Sequence, residues 1–391
     1  MNALKLSENI YWVGAIDWNV RNFHGYETEK GTTYNAYLII DDKITLVDTV
    51  KECLKEEMLE RISSVVDPSK IDVIISNHAE PDHSGALPFI LQYAKNATVY
   101  TVFSAGEKDL SGYYGTLPVT GVKTGEKLSI GKHEFTFVST PMVHWPDNMV
   151  SHMTPENILF SNDAFGQHYA SSTRLDTDSD LAEVFKQAKK YYANIVQPYG
   201  MQTGKALAAL SPLDISMICP SHGVIWTKHI PEITERYKSW VSGVQEESAV
   251  IVYDTMWHST ELMAHALETA FCDNGIKVKL CDLKHENNSD IITELMCAKY
   301  VAVGSPTLNN NMMPNVASFL TYFKGLTGNA KKYIAFGSYG WGGQSIQQVS
   351  DFLAQCKAQP LLPIIRQAYK PTEEDLKKIT ADVSAALKNR I

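Results

Sequence analysis

Beyond residue 248 short apolar runs alternate with stretches of helical periodicity. The runs cover 249–253 (AVIVY), 276–280 (IKVKL), 300–304 (YVAVG), 333–336 (YIAF) and 361–365 (LLPII), with helical patterns over 260–273, 289–296, 314–325, 345–358 and 372–387. In the first of these patterns Leu262, Met263, Ala266, Leu267, Ala270 and Phe271 recur at helical spacing, and Gly275 stands where a left-handed cap belongs. Strand and helix in strict alternation predict a doubly wound parallel sheet, because right-handed crossovers place helices on both faces.

The first 248 residues have a different grammar. Strands at 10–13, 33–40 and 44–48 precede any helix; a helix over 51–65, a buried strand at 71–76 and strands at 135–139 and 158–161 follow. That order predicts an α/β sandwich of mixed sheets. The charged stretch 234–248, which holds Tyr237 and Trp240, reads as a closing helix, and the expected domains are 1–248 and 249–391.

Composition narrows the class. With 44% hydrophobic and 20% charged residues in 391, the chain is expected to be globular, of two or three domains. Its formal charge of -9 is uneven: residues 1–248 hold 31 acidic and 21 basic side chains, net -10, and residues 249–391 hold 13 and 14, net +1. Neither part has the Lys/Arg cluster that grips a phosphate backbone, which argues against a nucleic-acid partner. The first twenty residues lack a basic stretch followed by an apolar one, and no run approaches the roughly 18 apolar residues of a membrane span. A cytoplasmic protein is expected. Cys53, Cys219, Cys272, Cys281, Cys297 and Cys356 form no CxxC pair, so the chain builds neither a zinc ribbon nor a rubredoxin-type iron centre, and a reducing compartment fits.

The densest chemistry follows the strand at 71–76, in Asn77-His78-Ala79-Glu80-Pro81-Asp82-His83-Ser84-Gly85. Potential ligands at alternate positions suit a loop rather than a helix, and such a loop can address a pair of metal ions from two sides. One or two such residues would make an ordinary solvated turn; His78, Glu80, Asp82 and His83 together at the end of a buried strand do not. His144, Asp163 and His222 each follow a later apolar run, where sheet-based folds collect their sites. Imidazoles and carboxylates without a thiolate suit iron or manganese as well as zinc.

His78-x-Glu80-x-Asp82-His83 with His144, Asp163 and His222 resembles the diiron signature of the flavodiiron proteins (A-type flavoproteins), whose first domain is a metallo-β-lactamase-like αββα sandwich. The ordinary hydrolase of that fold carries HxHxDH and binds zinc, whereas here Glu80 replaces the second histidine, and an anionic oxygen favours a harder, redox-active ion. The resemblance implies one iron held by His78, Glu80 and His144, a second by Asp82, His83 and His222, and Asp163 bridging. Family members differ in whether the residue at His83 reaches metal. The resemblance also implies that His24 and one of Tyr191 or Tyr192 line the substrate pocket.

In the second half, Thr255-Met256-Trp257-His258-Ser259-Thr260 joins the first strand to the first helix. Hydroxyls and backbone N–H groups at a helix start cradle phosphate. The loop is neither a Walker motif nor GxGxxG, and it favours a mononucleotide such as FMN over a dinucleotide. An ordinary capping pattern would look similar. Two further loops stand at strand ends: Ser305-Pro306-Thr307-Leu308-Asn309-Asn310 after Gly304, and Ser338-Tyr339-Gly340-Trp341-Gly342-Gly343 after Gly337. Glycines admit a flat ring, and Tyr339 or Trp341 can cover it. The three loops together resemble the flavodoxin-like FMN domain of flavodiiron proteins, so the resemblance spans essentially the whole chain.

It implies an oxidoreductase with FMN and two non-haem irons that reduces O2 to water, NO to N2O, or both. Electrons would come from a separate carrier, first of all a rubredoxin, with a reduced deazaflavin coenzyme or another flavoprotein as alternatives. A head-to-tail homodimer is also implied; the resemblance leaves open whether it pairs into a homotetramer. Two rival readings are a zinc hydrolase with a flavodoxin-like appendage and a non-catalytic FMN electron carrier or gas-responsive protein.

Overall fold

The computed structural model describes residues 1–326 and 331–388. The chain forms two compact units. The first comprises 1–24, 28–192 and 199–241; the second comprises 25–27, 193–198 and 242–391.

In the first unit two sheets lie face to face. The seven-stranded sheet runs in the order Leu4–Lys5, Ile10–Trp12, Tyr37–Ile39, Ile44–Val47, Ile71–Ile75, Thr98–Val102, Val119–Val122. It is antiparallel at its start and parallel from Ile44–Val47 onward. The five-stranded sheet runs Lys127–Ser129, Glu134–Ser139, Met149–Thr154, Ile158–Asn162, Met217–Pro220. Alternation of side chains along each strand sends one set inward. Trp12, Tyr37, Val47 and Ile75 of the larger sheet meet Phe135, Phe137, Met153 and Phe160 of the smaller in one dry core. On the outer face of the larger sheet Leu38, Leu46 and Ile74 pack with Met58, Ile62, Leu87 and Leu110 from helices. Burying each such side chain contributes about 1.5–3 kcal/mol relative to exposure.

The second unit holds a parallel sheet in the order Lys277–Asp282, Glu246–Tyr253, Ala298–Gly304, Lys332–Tyr339, then Gln359–Pro360 and Ile365–Ala368. This 2-1-3-4-5 order is that of flavodoxin-like sheets. Helices Ser259–Asp273 and Glu373–Lys388 pack on one face through Met263, Leu267, Ile379 and Val383. Within the same unit Asn194 donates to Ser289 O at 3.1 Å and accepts from the Tyr322 hydroxyl at 2.8 Å.

Four predicted elements differ from what forms. The strand expected at 33–40 is two, Thr32–Tyr34 and Tyr37–Ile39, in different sheets. Asn35 leaves the ladder to bond distant chain: its N donates to Ser221 O at 2.7 Å and its side-chain amide to Pro220 O at 2.8 Å. The helix expected over 51–65 opens with a tighter turn, Glu52–Leu54, before Lys55–Ser63. The closing helix spans Ile230–Ser242 and stops at Gly243, whose φ of 65° suits glycine; the strand Glu246–Tyr253 then starts within the stretch read as helix. The run 361–365 is not one strand, because pairing stops after Pro360 and resumes at Ile365, with Pro363 between. Among the described residues no helix is long and apolar enough to cross a membrane.

Candidate functional site

Strand Ile71–Ile75 delivers the chain to a pinned corner. Asn77 donates from its backbone N to Asp48 Oδ1 at 2.7 Å and from its side chain to Asp48 Oδ2 at 3.1 Å. His78 and Glu80 follow on the loop. Asp82 and His83 lie on a helical turn, Pro81–Ser84, rather than on an extension of the loop. Proline at the first helical position starts that turn, and Ser84 Oγ ties it to Ala79 O at 2.7 Å. His144 follows strand Glu134–Ser139, Asp163 directly follows Ile158–Asn162, and His222 follows Met217–Pro220.

All seven predicted ligand side chains converge. One group is His78, Glu80, His144 and Asp163, the other Asp82, His83 and His222; within each group the ligating atoms lie within 4.8 Å of one another. Asp163 faces both. Its Oδ2 is 3.6 Å from His78 Nε2 and 3.5 Å from His144 Nε2, while its Oδ1 is 3.0 Å from His83 Nε2 and 3.6 Å from His222 Nε2. Glu80 Oε2 lies 3.2 Å from His144 Nε2, and Asp82 Oδ2 lies 3.3 Å from His222 Nε2.

The electrostatics are those of a cation site. Burial works to raise the Glu80 carboxyl, yet hydrogen bonds from His144 and His78 hold it well below the carboxylate range. Burial opposes charge on His83, yet Asp82 and Asp163 lift it to about 9. Both Asp82 oxygens, both His83 ring nitrogens and Asp163 Oδ2 are buried without a hydrogen-bond partner. Such atoms are costly to desolvate unless something else binds them, and two hard divalent cations match this donor set.

A surrounding layer orients the ligands. Asp147, fully buried, accepts from His78 Nδ1 at 2.9 Å and from Ala79 N at 2.6 Å. His222 Nδ1 donates to Thr33 O at 2.7 Å. The Tyr191 hydroxyl donates to Asp163 Oδ1 at 2.9 Å, whereas Tyr192 packs against Tyr237 and Trp240, so Tyr191 is the one that faces the cluster. His24 is exposed, with Nε2 3.6 Å from Glu80 Oε1. Two buried neighbours escaped the sequence reading. His168 bonds Thr32 Oγ1 at 2.8 Å, and burial, with His222 beside it, holds its imidazole well below the ordinary range, hence neutral. Asp147 is the other; its signal was a carboxylate three residues after His144, the kind of partner that metal-bound histidines require.

In the second unit a cavity of about 790 Å³ opens at the strand ends. Met256, Trp257 and Ser259 from the first loop, 306–310 from the second and 338–342 from the third all line it. The other predicted contacts stand behind the wall or outside it. Thr260 Oγ1 bonds Ser338 Oγ at 2.8 Å, Ser305 Oγ accepts from Met313 N at 2.9 Å, and Gly343 caps the helix Gln344–Gln355. His258 is exposed and turned toward Glu261, at 2.5 Å. The Thr255 hydroxyl, in the loop before helix Ser259–Asp273, is buried without a hydrogen-bond partner, a donor left over for a ligand. Trp257 and Trp341 stand 84% and 95% exposed at the rim, where a flat ring would cover them. The size, the hydroxyls and the aromatic rim fit FMN.

Residues 32–223 match the family described as ODP family beta lactamase, and residues 251–381 match flavodoxin. The chain is 42% identical over 380 residues to a nitric oxide reductase of Moorella thermoacetica, covering 95% of each chain. The solved rubredoxin oxygen:oxidoreductase from the anaerobe Desulfovibrio gigas is similar with a TM-score of 0.95 and 41% identity, covering 99% of each chain. A flavodiiron protein from Giardia intestinalis superimposes with a TM-score of 0.95 at 33% identity, over 99% of this chain and 96% of that one.

Proposed function

The chain belongs to the flavodiiron proteins, and on that premise we propose that it reduces O2 to water, NO to N2O, or both, with electrons from a separate carrier. As a member it is an oxidoreductase with FMN and a diiron centre. We assign the metal centre to 1–248 and FMN to 249–391. His78, Glu80 and His144 would hold one iron, Asp82, His83 and His222 the other, and Asp163 would be shared between them. The observation that carries this reading is Asp163, whose two oxygens face the two ligand sets separately.

FMN, when bound, would supply electron storage, and a bound iron pair would supply electron transfer to a small diatomic oxidant. The protein sets the conditions. Asp147 fixes the ring of His78, and Tyr191 holds one oxygen of Asp163 and so its orientation between the two sets. Either reduction consumes as many protons as electrons; exposed His24 beside Glu80 is placed to pass protons inward from solvent. Buried, neutral His168 adds no positive charge behind His222.

Rubredoxin is the donor we propose, supported by the name of the Desulfovibrio gigas relative; reduced deazaflavin coenzyme is the alternative to compare. A cytoplasmic, head-to-tail homodimer would place FMN of one chain beside iron of the next, and all six cysteines are free, as a reducing compartment requires. The test is consumption of O2 and of NO by purified protein with reduced rubredoxin. Turnover that disappears in His78→Ala while FMN is retained supports the reading; two zinc ions per chain and flavin-independent hydrolysis contradict it.

A further inference from the structure

The cavity of the second unit has a wall that none of the three loops supplies. Strand Ile365–Ala368 runs parallel to Lys332–Tyr339 and pairs Ala368 with Tyr339. The ladder continues one residue further, where Tyr369 N donates to Tyr339 O at 2.7 Å. Tyr369 then takes a left-handed backbone, φ 57°, and Pro371 follows two residues on. The turn lays the Tyr369 ring beside Gly340, where a Cβ would stand 3.9 Å from Tyr369 Cε1. Tyr369 and Lys370 thereby line the cavity next to Tyr339, Gly340 and Trp341, the aromatic part of the wall.

Among the described residues lining the cavity Lys370 is the one with a full charge, and no carboxylate of the described residues pairs with it. The rest of the lining is apolar, hydroxyl or amide. Charge close to a flavin ring tunes its electronics.

We propose that Lys370 biases the FMN of this chain toward its reduced, anionic form. Two electrons from a one-electron carrier and one proton from solvent turn the neutral ring into a singly negative one, and the Lys370 ammonium attracts that charge. The phosphate is served separately, by the helix start at Ser259. Because the side chain is exposed, water and salt screen it. The expected effect is about three- to tenfold in the reduction equilibrium, equivalent to about 15–30 mV for a two-electron couple.

The inference rests on FMN occupying this cavity. The test uses the full-length protein loaded with FMN, comparing wild type, Lys370→Gln and Lys370→Arg by dye-equilibrated redox titration, together with binding of FMN and of riboflavin. The expected result is a reduction equilibrium that falls in Lys370→Gln, recovers in Lys370→Arg and converges on wild type at high salt, with an unchanged ratio of FMN to riboflavin affinity. An unchanged potential in Lys370→Gln overturns the proposal. So does a lost preference for FMN over riboflavin without a change in potential, which would put the ammonium at the phosphate. Ser259→Asp separates the two levels: it sets a carboxylate at the helix start and should release FMN, and retention there would overturn the cavity assignment itself.

Discussion

Asp147 and His78 form a fully buried pair, with Asp147 Oδ2 2.9 Å from His78 Nδ1 and the same oxygen receiving Ala79 N at 2.6 Å. The carboxylate thus locks both the ring of His78 and the backbone of the next residue, Ala79, leaving Nε2 to face Glu80 and Asp163. An asparagine in its place keeps an acceptor oxygen but removes the negative charge that fixes the His78 ring and raises its basicity as a ligand. Asp147→Asn is therefore expected to weaken iron binding by about 10- to 100-fold. Chelator competition with FMN retained measures this; full iron occupancy at the wild-type affinity would remove Asp147 from the account.

Tyr191 and Tyr192 are adjacent but unequal. Tyr191→Phe deletes the donor to Asp163 Oδ1, a hydrogen bond to a charged group worth about 1.5–3 kcal/mol. The Mössbauer spectrum of the iron should shift, with roughly tenfold slower turnover. Tyr192 packs its ring against Tyr237 and Trp240, and Tyr192→Phe should leave the spectrum as it is. Equal spectra for both variants would refute the distinction.

Thr255 Oγ1 is buried and has no hydrogen-bond partner, in the loop that joins strand Glu246–Tyr253 to helix Ser259–Asp273, and under the proposed FMN site it is a donor for the phosphate. Thr255→Val should weaken FMN by about tenfold or more while leaving riboflavin affinity unchanged. A parallel loss for both ligands would show a packing role instead.

Lys331 is almost wholly buried, and its ammonium donates to Ala298 O at 2.6 Å. Burial pulls its pKa down to about 8 from 10.5. Between those values the unfolded chain binds more protons than the folded one, so this residue makes stability rise with pH from about 8 to 10.5. Below that window the cost of the buried charge is fully present. Lys331→Met should raise the thermal midpoint near neutral pH, and the difference from wild type should shrink as pH climbs through the window. A difference independent of pH would contradict the assignment.

Much of this molecule could be read from the chain because its signals are local. Leu262 to Phe271 announce a helix by spacing alone, and the metal motif puts His78, Glu80, Asp82 and His83 within one corner. What escaped depends on distant chain. Strand 33–40 breaks because Asn35 bonds Ser221 and Pro220, which no periodicity encodes. Asp147 is neither a ligand nor at ligand spacing, and it reaches His78 only through the turn between strands Glu134–Ser139 and Met149–Thr154. Tyr369 and Lys370 join the cavity because the last strand starts at Ile365, the final residue of the apolar run 361–365, and continues past it to Ala368. The choice between Tyr191 and Tyr192 needed the phase of the helix relative to Asp163, which a sequence leaves open by one residue.

The proposed function has electrons stored on FMN leave through the diiron centre to O2 or NO. Its most direct test is a single-turnover stopped-flow experiment, in which fully reduced protein carrying FMN and iron is mixed with O2 and, separately, with NO, beside a His144→Ala variant that retains FMN. Rapid flavin reoxidation by at least one oxidant is expected in the wild type, with water or N2O as product, and its loss in the variant. Equal reoxidation rates in both proteins, or none with either oxidant, would contradict it.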